Sequence, residues 1–422
     1  MRPPQGKFST DLYWNAGAFG LSALLGVLIN LLIVRAYDAA ALGVFNLVYA
    51  VYILLSQLAV GGVHLAVQAF VPREIQQGRR PDVYLSAALV LSTATSLVVM
   101  AAAWWGRELP GRWFDSAAVV AAFPLAIGGL LFFSWNKVLL SFHNGARRMR
   151  LFAVFQLLRF TFLFLMLAIL VWRGAPPEQL PLVLAGAEML LFLLLLPVTL
   201  RWWSPLRTEG LRGALGRGFR FGNRALLGNI LLDVNTRVDV FMLGIFLSDA
   251  MVGLYSFAAT VAEGLMQLPV LFRNNINPVI TRAWHQGGQR LLGRVVTRNR
   301  RAFFRLLAPL VVLTVPLFPV ALWVLGMKEE PMTVWALYAI LAAGIALTSG
   351  HQPFLMLFSQ LEHPGWQTVF IFLVFLSNVV FNLLLIPWLG VYGAAIGTAL
   401  SFFTLAMLMR VLARRVFNIS IR

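Results

Sequence analysis

Asp233, Arg237 and Asp239 crowd into seven positions of the apolar run LGNILLDVNTRVDVFMLG, residues 227–244. Each ionised side chain at the centre of a membrane span costs several kcal/mol, so such residues face protein or water and carry a task. On a continuous helix Asp233 and Arg237 are i, i+4, share a face with Asn229 and neutralise each other as a structural ion pair. Asp239 lies about 200° further round at 100° per residue. With Asn235 it points elsewhere, as a separate functional carboxylate.

Other charges are embedded as deeply. The basic ones are Lys137, Arg159 and Arg273; the acidic ones are Glu188 and Glu263. Lys137 continues a stripe with Ser134, Ser141 and Asn144. Gln156 and Arg159 share a face, and Ser256, Thr260, Glu263, Gln267 and Asn274 line one side of a later helix. Lys137, Arg159 and Arg273 fall in the inner halves of their spans, a basic vestibule suited to a diphosphate: arginine offers a bidentate fork and lysine a mobile point charge. For Lys137 and Arg159 the competing reading is snorkelling to the interface along aliphatic stems. Arg273 adjoins Asn274 and Asn275 between the helix-breaking Pro269 and Pro278, which favours a lumen role alongside Asn274, Gln267 and Glu263. Asp11 with Trp14 and Asn15, and His64 with Gln68, fit the same vestibule, although such residues more often anchor at the interface or satisfy packing.

A second constellation surrounds Asp239. Asn378, Asn382 (i, i+4) and Thr398 fall within about seven residues of the outer ends of their spans, roughly 10 Å deep at helical rise, like Asp239. One carboxylate, two amide oxygens, a hydroxyl and a backbone carbonyl at Ala394 make a hard-cation site, better matched to Na⁺ than to a divalent ion, which recruits more carboxylates. The alternatives are a proton carried by Asp239 and a purely structural carboxylate. No other cofactor is expected. With no cysteine, disulfides and thiolate metal sites are excluded.

Helices must position these groups. The chain of 422 residues is 60% hydrophobic and only 12% charged, against about 25% charged in soluble domains: a polytopic all-α membrane protein. The first apolar run is too long for a signal-peptide core. Runs near 12–35, 39–62, 82–105, 117–142, 150–172 and 178–200 precede a second set near 221–247, 250–277, 302–326, 332–358, 366–387 and 391–412, twelve expected spans. Arginines crowd alternate loops, as at Arg73, Arg79 and Arg80, Arg147, Arg148 and Arg150, Arg201–Arg220, Arg282–Arg305 and Arg410–Arg422. This positive-inside pattern places both termini in the cytoplasm and accounts for the net charge of +18 without nucleic acid. ALLG at 23–26 recurs at 225–228, Gly43 at Gly253, Gln77-Gly78 at Gln286-Gly287 and Gly186 at Gly397, all offset by 202 to 211 residues. Two six-helix lobes, 1–202 and 203–422 with a basic linker at 203–220, are expected as parallel pseudo-two-fold repeats around a central cavity.

The run TRVDVFMLGIFLSDAMVGLYSFAATVAEGLMQLPVLFRNNINPVITRAWHQG resembles the seventh and eighth spans of bacterial polysaccharide (O-antigen-type) flippases. NLLLIPWLGVYGAAIGTALS, residues 382–401, resembles their eleventh and twelfth. These belong to the multidrug/oligosaccharidyl-lipid/polysaccharide exporter superfamily, with the lipid II flippases, whose two additional spans this chain lacks. The resemblance implies a flippase carrying undecaprenyl-diphosphate-linked oligosaccharide from the inner to the outer leaflet of the bacterial cytoplasmic membrane by alternating access. It implies membrane lipid and glycan polymerase machinery as partners, and a monomer. Lipid II flippases bind sodium with an arrangement similar to that around Asp239; Asn382 departs from it, where that pattern has a second carboxylate. Two rivals remain. A cation-coupled multidrug exporter shares the fold but needs an acidic lumen. A membrane enzyme acting on lipid-linked sugars needs a large outer loop, a metal motif or clustered histidines; outer loops here stay under about a dozen residues and the five histidines are scattered.

Overall fold

Hydrophobic runs punctuated by glycine, proline and arginine fold into helices, and no strand occurs among the residues described by this computed structural model, 5–205 and 209–419. The first half gives α1 (Gln5–Ala36), α2 (Ala39–Val60), α3 (Val63–Gln76), α4 (Asp82–Trp105), α5 (Leu109–Trp113), α6 (Ala117–Ile127), α7 (Gly129–Gly145), α8 (Met149–Trp172) and α9 (Leu182–Leu200). The second gives α10 (Leu211–Val234), α11 (Val238–Phe246), α12 (Asp249–Val324), α13 (Pro331–Thr348), α14 (Leu357–Gln360), α15 (Pro364–Leu389) and α16 (Val391–Phe417). Local chemistry sets several ends. The Asp38 carboxylate accepts from the Ala41 N–H at 2.7 Å and caps α2. Ser116 does the same for α6 through Val119. Gly62, at φ 69°, separates α2 from α3 in a conformation that side chains disfavour.

Ten helices among the described residues are long and apolar enough to cross a membrane, eleven when α6 and α7 count as one span bent by 49°. Pro124 and the Gly128–Gly129 pair account for that bend. The expected twelve continuous spans are therefore corrected at the seventh. Residues 235–237 are a turn, not a helix. On one side α10 carries Arg212, Arg217, Arg220 and Arg224; on the other α11 has only nine residues. The expected span at 332–358 also ends early, at Thr348, where a buried turn begins. Residues 250–277 and 302–324 belong to α12, whose helical path is interrupted at Gly288 (φ 54°, ψ −148°).

The helices group into two compact units. The first comprises residues up to Tyr37 and Val44–Val234; the second comprises Asp38–Gly43 and Asn235–Arg422. The division falls after Val234 rather than at the linker 203–220, because α10 packs on α3 and α4. There Gly222 lies so close to the α2–α3 junction that a Cβ on it would stand 2.8 Å from the Gly61 carbonyl oxygen.

The first turn of α2 belongs to the second unit for a similar reason. A Cβ at Gly43 would fall 1.8 Å from the Asp249 carbonyl oxygen, and one at Gly253 would fall 1.8 Å from that of Ala39. Residue 43 meets 249 while 253 meets 39. Backbones this close tolerate no side chain. Gly253→Val should lower the thermal midpoint in detergent by the equivalent of about 1–3 kcal/mol or more; an unchanged midpoint would show that the contact can part freely.

Candidate functional site

In the first unit two polar clusters lie within the apolar bundle. In one, Lys137 of α7 donates to the Gln57 side-chain oxygen of α2 at 2.5 Å and lies 3.2 Å from the Asp233 carboxylate of α10. Asn229, one turn before Asp233, donates to the same Gln57 oxygen at 3.1 Å. The lysine and aspartate side chains are 21% and 39% exposed, so the cluster is only partly covered by protein. The other cluster is sealed. Arg159 of α8 lies 2.8 Å from Glu188 of α9, with side-chain exposures of 15% and 5%. The Asn136 amide donates to a Glu188 carboxylate oxygen and to its backbone carbonyl, each at 2.8 Å. The Arg159 guanidinium also covers the Phe133 ring at 5.0 Å, and Lys137 lies 5.7 Å from the same ring. Arg159 is thus turned toward a carboxylate of the neighbouring helix. Its charge is met inside the protein.

The expected Asp233–Arg237 pair rested on one continuous helix, and that premise fails at the 235–237 turn. Each residue has a partner within its own unit. Asp233 takes Lys137, and Arg237, at the N-cap of α11, takes Glu263 of α12 at 3.2 Å. Glu263 is therefore a counter-ion. Gln267 and Arg273 follow it along α12, both partly buried. Among the described residues no carboxylate lies within 4.0 Å of Arg273. The side chains of Asn15, Asn274, Asn275 and Pro278 lie outside the described residues. Trp14 is 49% exposed. His64 is buried, while Gln68 donates to Ser141, a packing contact.

The second unit builds the Asp239 site. The break before α11 places Asp239 in the first turn of the new helix, where a carboxylate is favoured by the helix dipole. One carboxylate oxygen accepts from the Val240 N–H at 2.9 Å. The other accepts from the Tyr255 hydroxyl and from the Thr398 hydroxyl, the latter at 3.4 Å. Helix α11 packs on α15 and α16, which bring Asn378, Asn382, Ala394 and Thr398, all at most 8% exposed. Asn382 donates to the Asn378 side-chain oxygen at 2.8 Å, and its own side-chain oxygen is buried without a partner, facing Gly397. A hard oxygen donor set with one negative charge and one orphaned amide oxygen fits a monovalent cation.

Tyr255 escaped the sequence reading, although a signal was present. It follows Asp239 by 16 residues, and Asn46 follows Asn30 by the same interval, with the Asn46 amide donating to the Asn30 oxygen at 3.1 Å. Both members of the second pair lie 209 positions after the first, the offset already seen at Gln77-Gly78.

Residues 10–284 match the family model described as polysaccharide biosynthesis protein. A relative from Haloferax volcanii, the probable low-salt glycan biosynthesis flippase Agl15, is 24% identical over 387 residues, covering 87% of this chain and 75% of the relative. Among solved structures, a multidrug resistance MATE family transporter of the MOP superfamily in its inward-facing conformation is 14% identical with a TM-score of 0.77, covering 94% of both chains. The lipid II flippase MurJ, inward closed, is 12% identical with a TM-score of 0.75, covering 94% of this chain and 86% of that one. These two establish the helical transporter fold.

Proposed function

This multi-pass membrane chain belongs to the polysaccharide biosynthesis protein family, and from that premise we propose that it flips a lipid-diphosphate-linked oligosaccharide from the inner to the outer leaflet. The reading is of a transporter, not an enzyme, working by alternating access between two repeat-related lobes. Both termini face the cytoplasm of the bacterial inner membrane, as the arginine-rich loops suggest. Lys137, partly exposed amid polar side chains, carries the reading: it is a cation that an anionic head group can reach. Arg273 supplies a second.

An organic-cation exporter of the same fold would need unneutralised carboxylates. In each unit the embedded acids are instead matched, Glu188 by Arg159, Asp233 by Lys137 and Glu263 by Arg237. Asp239 is held by hydroxyls and a backbone N–H. Binding of lipid-linked diphosphates to the purified protein, in preference to organic cations, tests the assignment; the reverse preference would overturn it.

For the coupling ion, Asp239, Asn378, Asn382, Thr398 and the Ala394 carbonyl would hold Na⁺, which would supply the driving force for the cycle. To receive it, the Tyr255 and Thr398 hydroxyls turn their lone pairs, in place of their protons, toward the ion. Sodium, but not choline, should raise the melting temperature of the wild type. Asp239→Asn should lose that stabilisation altogether, and Thr398→Ala should reduce it. Equal melting in both salts, with transport that tracks pH and vanishes in Asp239→Asn, would assign a proton instead.

A further inference from the structure

Asp233 occupies one of the positions on Lys137 at which an anionic oxygen can bind. The Lys137 ammonium has three N–H donors. One reaches the Gln57 oxygen at 2.5 Å and another meets the Asp233 carboxylate at 3.2 Å. Asn229 ties the pair together, donating to the same Gln57 oxygen at 3.1 Å and lying 3.5 Å from the same Asp233 oxygen. These bonds join α2, α7 and the last turn of α10. Asp233 is the penultimate residue of α10, directly ahead of the 235–237 turn.

The contrast with the other embedded pair is informative. Glu188 is sealed at 5% exposure and locked by Asn136, whereas the Asp233 side chain is 39% exposed and its partner 21%. An accessible ion pair contributes little net stability, so a stronger oxyanion can displace the carboxylate without disrupting the core. A diphosphate offers more oxygens and more charge to the same ammonium.

We propose that Asp233 is an internal stand-in for the cargo's phosphate, holding Lys137 while cargo is absent and yielding it when the diphosphate arrives. Displacement unties the last turn of α10 from α7, while Asn229 keeps its bond to Gln57 of α2. Cargo binding then acts on the break in the seventh span, where a change in backbone direction needs no helical hydrogen bond to be broken. The same carboxylate makes the site selective, since an anion competes for Lys137 far better than a neutral acceptor does. This inference rests on the reading of Lys137 as a phosphate-binding cation.

Calorimetric titration of the purified full chain with inorganic pyrophosphate separates the two claims. Asp233→Asn should bind pyrophosphate about tenfold tighter than wild type, a typical coupling between competing groups. Asp233→Ser, which removes the charge with a different side chain, should do the same and covers the case in which the first variant does not fold. Lys137→Met should abolish binding in both backgrounds. Pyrophosphate binding by Lys137→Met equal to wild type would sink the reading of Lys137 itself. Loss of binding in Lys137→Met, but unchanged or weaker binding in both Asp233 variants, would overturn the stand-in role alone. Tetraphenylphosphonium binding that is present in the wild type and lost in Asp233→Asn would make Asp233 a cation ligand, and that too would overturn it.

Discussion

Arg273→Ala should abolish glycan export while the protein still folds and inserts. No carboxylate within 4.0 Å depends on Arg273 among the described residues, so its removal strands no buried charge. The loss therefore falls on cargo binding. Arg273→Lys should restore export only in part, because lysine lacks the planar fork with which arginine can grip two oxygens of a phosphate. Outward movement of an anion from a negative interior is favoured by about 2.3 kcal/mol per charge per 100 mV. The protein's own cations must stay behind during the switch for that force to act. Surface glycan, expression level and melting temperature, measured together, check the prediction. Full export by Arg273→Ala at normal expression would remove Arg273 from the mechanism.

Glu188→Ala behaves in the opposite way, because it breaks a sealed pair. It leaves the Arg159 guanidinium buried without its carboxylate, and the Asn136 amide keeps only the backbone carbonyl of residue 188 as an acceptor. Removing one partner of a buried pair costs about 3–5 kcal/mol, whereas replacing both by apolar residues of similar volume is often neutral. Glu188→Ala should therefore fall far in melting temperature, and Glu188→Leu combined with Arg159→Met should recover most of the loss. Retained export by the double variant would fit Arg159 as scaffold; recovered stability with no export would return it to the cargo path. A single variant that melts like wild type would show that the pair contributes little.

The two residues looked alike in the sequence. Arg159 and Arg273 are both single arginines in apolar runs, and their difference lies in partners on neighbouring helices. Glu188 is 29 positions from Arg159, Asp233 is 96 from Lys137, and Glu263 is 26 from Arg237. No local pattern joins residues so far apart. Span edges were far more legible. Asp82–Trp105 coincides with its apolar run, and Met149–Trp172 differs by one residue, because arginine, glycine and proline punctuate the chain. The seventh span misled for a physical reason. Hydropathy records what a segment can bury but not whether its helix is continuous, and the i, i+4 pairing of Asp233 with Arg237 assumed that it was. Asp239 stood out as a carboxylate on a different face from Asp233 and Arg237. It came together with Thr398 because both are polar residues at one estimated depth, whereas Tyr255 was passed over as an aromatic among apolar neighbours.

Depletion of the protein in its native host tests the central claim most directly, with mass analysis of undecaprenyl-linked lipids and of surface glycan. Flippase function predicts that a complete diphosphate-linked oligosaccharide accumulates on the inner leaflet as surface polysaccharide falls, and that re-expression reverses both. Unchanged lipid-linked oligosaccharide and surface glycan, with a gain in sensitivity to organic cations, would contradict the account and identify the chain as a drug exporter.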